Sequence, residues 1–121
     1  MPVRGIRGAI TAAENTENGI LTATMMLLKE MIARNAGLEA KDLASAWFTV
    51  TPDLDAAYPA KAARQLGWQR VPMLCSIEIP VPDGLPYCIR VLLHWNTSRN
   101  QDEISHVYVG EAAHLRTDLS S

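Results

Sequence analysis

Cys88-Ile89-Arg90-Val91-Leu92-Leu93-His94-Trp95-Asn96-Thr97 is the most strand-like stretch of the chain, and Arg90 is the sole charge in its apolar first half. Working outward, Pro82-Asp83-Gly84 marks a turn just before it, and Val71 to Val81 ahead of that turn reads as another strand. On the other side, Ser105 to Gly110 makes a short last strand. Leu43 to Thr51 reads as a mostly buried strand, broken by Thr51-Pro52-Asp53. A short helix is expected after it, with Pro59 in the first turn and Gly67 just past the end. Val3 to Ile10, carrying Gly5 and Gly8, suits a first strand that allows close approach to its backbone. The remaining segment is the clearest helix. Thr16 offers an N-cap, Glu17 favours the first turn, and Gly37 is a stop. Ile20, Thr24, Leu27, Leu28, Met31 and Ile32 fall on one side at helical spacing, with Glu30 and Arg34 as an i,i+4 pair off that stripe.

The order β-α-β-α-β-β-β predicts an α+β fold, a mixed sheet with helices on one face. With no helix left for the other face, packing of sheet against sheet in a symmetric oligomer is the expected cover. The length of 121 residues fits one domain, residues 1–121, with a hydrophobic content of 48% that argues against disorder. The net charge of -2, with Lys and Arg dispersed, argues against nucleic acid as a partner, because phosphate binding needs a concentrated basic surface. No apolar run approaches a membrane span or the core of a signal peptide, so no membrane partner and a cytoplasmic location are expected. Cys75 and Cys88 are read as free thiols.

Arg90 is the sharpest candidate for chemistry, since a guanidinium in an apolar strand is costly without an anion. Two readings fit it: a structural salt bridge with Glu78 on the neighbouring strand, or a site kept for an anionic ligand. Lys61 and Arg64 project from one helix face beside Tyr58, which equally describes a solvated surface. Arg7 stands between Ile6 and Gly8, where small neighbours could admit a ligand to the backbone. In isolation it reads as a surface arginine. Tyr108 alternates with His106 on the last strand and reads alone as a packing residue. His94, His106 and His114 lack metal-site spacing, and no nucleophile motif, phosphate loop or carboxylate pair appears. Residue patterns alone stop at a small α/β domain able to bind an anion.

The ordered set of segments goes further. Arg4-Gly5-Ile6-Arg7-Gly8-Ala9, Thr51-Pro52-Asp53-Leu54, Pro59-Ala60-Lys61-Ala62, Gly67-Trp68 with Val71-Pro72, Cys88-Ile89-Arg90-Val91, His106-Val107-Tyr108 and Leu115-Arg116 together resemble the AroH-class chorismate mutases over nearly the whole chain. Tyr58 stands where that pattern has Phe, and one residue is missing before Gly67-Trp68. The resemblance implies a cofactor-free, metal-free isomerase that turns chorismate into prephenate in phenylalanine and tyrosine biosynthesis. It also implies a trimeric pseudo-α/β-barrel of ferredoxin-like topology, with active sites at the subunit interfaces. By the same resemblance Arg90 contacts the substrate's ether oxygen and a carboxylate, Arg7 holds a carboxylate, and Tyr108 hydrogen-bonds to one. Glu78 and Cys75 meet the ring hydroxyl. Tyr58, Lys61, Arg64, Met73 and Leu74 line the substrate site, and Leu115 and Arg116 close over it from a mobile tail that begins at about residue 115. Cys75 and Glu78 have opposite strand parity, so a bulge or twist is expected between them if both serve one site.

Overall fold

The computed structural model describes residues 1–114. Helix α1 (Glu17–Arg34) starts where Thr16 Oγ1 accepts a hydrogen bond from Gly19 N at 2.9 Å, so the expected N-cap is in place. Its buried stripe contains Ile20, Ala23, Thr24, Leu27, Leu28 and Met31, spaced three and four apart. Thr24 is tolerated there because its hydroxyl donates to Ile20 O at 2.7 Å. Glu30 and Arg34 pair at 2.9 Å on the exposed side. The helix ends earlier than Gly37, at Asn35, whose buried amide donates to Met31 O and Ser105 O and accepts from Ser105 N, each at 2.9 Å. That side chain ties the end of α1 to the segment leading into the last strand.

Five strands follow the expected order: β1 (Val3–Thr11), β2 (Leu43–Val50), β3 (Met73–Ile77), β4 (Cys88–Asn96) and β5 (Val107–Tyr108), with helix α2 (Ala60–Gln65) between β2 and β3. Gly67, at φ 97, follows α2 as its left-handed stop. Strands β3 and β5 are shorter than expected. β3 stops before Pro80 and Pro82, which cannot donate to a ladder, and β5 is a two-residue edge.

The sheet order is β3-β2-β4-β1-β5. β2 pairs parallel with β3 and β1 parallel with β5, while β4 runs antiparallel to both β1 and β2. The expected ferredoxin-like topology is therefore corrected. That pattern places two strands in succession between its helices, whereas here α1 and α2 each return the chain to the same end. β1, β2 and β3 consequently run the same way, and β4 alone reverses between them.

Burial alternates along the central strands. Ile6 and Ile10 of β1, Ala46, Phe48 and Val50 of β2, and Ile89, Val91, Leu93 and Trp95 of β4 join the α1 stripe in the main core. Gly8 has its own place here. A methyl group on it would lie 2.5 Å from Met31 Sδ, so the bare backbone of β1 is what lets α1 seat. The alternate residues, including Arg7, Trp47, Thr49, Arg90, Leu92 and His94, point to the opposite face. A smaller cluster of Ala9, Cys88 and Ala112, with Leu85 and Tyr108 against it, covers one corner of that face. Elsewhere Trp47, Leu74, Ile77, Ile79 and Val81 remain exposed. Among the described residues, no helix is long and apolar enough to cross a membrane.

Candidate functional site

Sheet register assembles the first part of the site. Tyr108 of β5 lies beside Ala9 of β1, Ala9 beside Arg90 of β4, and Arg90 beside Thr49 of β2, so one lateral row crosses four strands on one face. Arg7 stands two residues along β1 from Ala9, opposite Leu92. At roughly 4.8 Å per strand, Tyr108 and Arg90 are about 10 Å apart with only the methyl of Ala9 between them. The result is a concavity of about 270 Å³ lined by Arg7, Trp47, Thr49, Glu78, Arg90 and Tyr108.

Glu78 joins this pocket from just beyond β3, where its backbone N–H donates to Val50 O at 2.8 Å. It is not on the strand next to Arg90. β2 intervenes, and the Thr49 hydroxyl donates to Glu78 Oε2. Arg90 Nε lies 3.8 Å from that same oxygen, beyond the 2.7–2.9 Å of a charge-assisted hydrogen bond. The ion pair considered between Arg90 and Glu78 is therefore present but long, without a direct hydrogen bond, and the Arg90 side chain is about half exposed, at 47%. Thr49 and Trp47 were missed from the sequence, although the alternation with buried Phe48 and Val50 already put both on the face of Arg90.

The remaining candidates gather elsewhere. Tyr58, Lys61, Arg64 and Cys75 line a second, larger pocket of about 550 Å³, beside the N-terminus of α1 and the edge strand β3. Among the described residues it shares no lining residue with the first. The expected irregularity between Cys75 and Glu78 is absent. β3 keeps its parallel register with β2 through Ile77, so strand parity sends the two side chains to different pockets. Met73 and Leu74 line neither pocket; they border a shallow groove with Trp47 and His94. Leu115, Arg116 and the proposed mobile tail lie outside the described residues.

Lys61 Nζ pairs with Glu17 at 3.0 Å in an exposed bridge, which holds it weakly. Among the described residues, neither Arg7 nor Arg64 has a carboxylate within ion-pair distance. Both guanidinium groups thus add positive potential to their pockets in a chain of net negative charge. Burial pushes the Cys75 thiol up, with the Ala60 backbone and the Arg64 charge pulling it partly back. Burial raises the Cys88 thiol as well, against the Arg90 guanidinium beside it. Both cysteines are free, and protonated thiols are the forms these surroundings favour. Among the described residues no group of three His, Cys, Asp or Glu is placed to hold a metal ion.

Two separate pockets, one on a sheet face with Arg7 and Arg90 and one beside a helix where Lys61 and Arg64 stand with Glu17 and Asp55, each offer cations to an anionic ligand. Comparison with known proteins gives this arrangement a context. Residues 3–119 match the family described as chorismate mutase type I. The chain is 53% identical to the chorismate mutase AroH of Thermus thermophilus over 119 residues, covering 98% of each chain. It is 46% identical to chorismate mutase AroH of Bacillus subtilis (strain 168) over 121 residues, covering 99% of this chain and 94% of the relative. A solved chorismate mutase from Clostridium thermocellum superposes with a TM-score of 0.86 at 50% identity, covering 89% of this chain and 96% of that one.

Proposed function

The chain belongs to the type I chorismate mutase family and converts chorismate to prephenate in aromatic amino acid biosynthesis; we propose that it does so at sites shared between the subunits of a trimer. The observation that carries this reading is the division of Arg7 and Arg90 from Lys61 and Arg64 into two pockets that, among the described residues, have no lining residue in common. In a cyclic trimer the first pocket of one protomer would face the second pocket of its neighbour, a head-to-tail contact that closes after three copies. Leu74, Ile77, Ile79 and Val81, exposed along and beyond β3, supply apolar surface for that contact. The first pocket, at about 270 Å³, is also just below the roughly 300–1,000 Å³ usual for a complete small-molecule site. The pairing brings Cys75 back to the reaction site from the neighbouring subunit, with no bulge needed.

The chemistry follows from what these side chains offer. Chorismate is a dianion, and its rearrangement is a pericyclic shift without proton transfer or a covalent intermediate. Arg7 and Tyr108 on one side, and Arg64 with Lys61 on the other, hold the carboxylates and select the folded, reactive conformer. Bond breaking runs ahead of bond making, so the ether oxygen gains negative charge in the transition state. The Arg90 guanidinium, presented on this face by β4, stabilises that charge more than it stabilises the ground state. Glu78 and Cys75 orient the ring hydroxyl.

The test is loss of chorismate absorbance with the pure protein and no added cofactor, first for the native enzyme and then for Arg90→Lys. An ammonium cannot reproduce the planar fork, so the variant is expected to lose about 10²–10³ in kcat while keeping its oligomeric state. A lysine variant of near-native kcat would refute the role given to Arg90.

A further inference from the structure

We propose that Thr49 is a positioning residue that keeps Glu78 from closing onto Arg90, and so keeps the Arg90 guanidinium available to substrate. The inference rests on the assignment of Arg90 and Glu78 to the reaction site. Glu78 is the last residue of the β3 region held by the sheet, through its N–H on Val50 O, and the segment after it is exposed. Its carboxylate therefore needs a side-chain partner to fix it. Two such ties run side by side from β2 to the β3 edge. Trp47 Nε1 donates to Ser76 Oγ at 2.8 Å, and the Thr49 hydroxyl donates to Glu78 Oε2.

The oxygen that Thr49 occupies is the same one that lies 3.8 Å from Arg90 Nε. A guanidinium and a carboxylate this close, both partly shielded from water, gain most from a direct pair at 2.7–2.9 Å. Thr49 competes for that oxygen with a neutral donor, and the register that puts Thr49 opposite Arg90 sets the spacing. Without the hydroxyl, Oε2 turns to Arg90. The guanidinium is then neutralised by the protein and must be pulled away before it can stabilise the ether oxygen. Since the lost interaction is strongest in the transition state, the effect falls on kcat more than on KM.

The experiment is a double-mutant cycle on the intact enzyme with chorismate as substrate. Thr49→Val keeps the shape of the side chain and removes the donor; Thr49→Ser keeps the donor. The expected results are a fall in kcat of about tenfold or more for Thr49→Val, consistent with a lost hydrogen bond to a charged group, with a smaller change in KM. Thr49→Ser should return kcat to near the native value. In a Glu78→Gln background, where no carboxylate can capture Arg90, Thr49→Val should add little further loss. Native kcat for Thr49→Val overturns the proposal, as does an equal loss in both backgrounds, which would mark a purely structural role. If Thr49→Val is inert while Glu78→Gln is impaired, only the positioning role falls. If Glu78→Gln keeps native kcat, the assignment beneath it falls too.

Discussion

Replacing Gly8 with alanine puts the packing of α1 on the sheet to a direct test, because two opposing effects of known size meet there. Gly8 does not have a left-handed backbone, so alanine is conformationally permitted. On that ground alone, the reduced freedom of the unfolded chain would stabilise the fold by about 0.4–1 kcal/mol. The new methyl, however, would sit 2.5 Å from Met31 Sδ, 3.0 Å from its Cε and 3.2 Å from Leu27 Cδ1. Met31 and Leu27 are both fully buried, so neither can move into solvent. Overpacking of this kind costs about 1–3 kcal/mol. The steric cost is the larger, and the net loss is expected at about 1–2 kcal/mol. Urea unfolding of both proteins at one fixed protein concentration measures it, since association contributes to the apparent stability of an oligomer. Met31→Ala alone should cost about 2–5 kcal/mol by leaving a cavity. In that background Gly8→Ala should become neutral or stabilising, because the methyl then has space to occupy. Unchanged or raised stability for Gly8→Ala alone would refute the account of how α1 seats on β1.

Asp53 accepts hydrogen bonds from Tyr87 N at 3.2 and 3.0 Å and from the Thr51 hydroxyl at 2.5 Å, and Tyr87 sits in the left-handed region at φ 51. Asp53→Ala is therefore expected to lower stability by about 1–2 kcal/mol in urea unfolding, with Tyr87→Gly recovering part of the loss. The Cys88 thiol, raised by burial, binds its proton more tightly when folded than when unfolded. Its contribution to stability is thus complete below the ordinary thiol range of about pH 8.5 and declines as the pH climbs through the higher folded value. Unfolding midpoints of the native protein should fall between pH 7.5 and pH 10 more steeply than those of Cys88→Ala.

The sequence made α1 legible because its signals agree: a cap at Thr16, a stripe at helical spacing and an ion pair on the outer side. Its end was read too far along, since Asn35 stops the helix through contacts with Ser105, 70 residues away, and no local pattern reports such a bond. Strand existence was readable from alternation and turns. Strand order was not, and this is why Glu78 was placed beside Arg90 when Thr49 stands between them. Gly8 was read as room for a ligand, and its backbone does line the first pocket, while Met31 fills the side that a side chain would take; a glycine signals close approach without saying from which side. Arg90 was singled out by physical reasoning alone, as a charge in an apolar strand. Arg7, Lys61, Arg64, Tyr108 and Cys75 were not, and their grouping came from the family resemblance. Parity flagged the conflict between Cys75 and Glu78, and two pockets on one chain resolve it without any break in β3.

The central claim, that each reaction site is built by two subunits, is tested by mixing inactive variants. Arg90→Ala disables the first pocket and Arg64→Ala the second, so each variant alone should be nearly inert. The two variants are unfolded together, refolded as a 1:1 mixture and assayed for loss of chorismate. Random assembly of a head-to-tail trimer pairs an intact first pocket with an intact second pocket at about a quarter of the sites, so activity should return toward about a quarter of the native value. Activity no greater than the average of the separate variants would contradict the shared site and place both pockets' chemistry within a single chain.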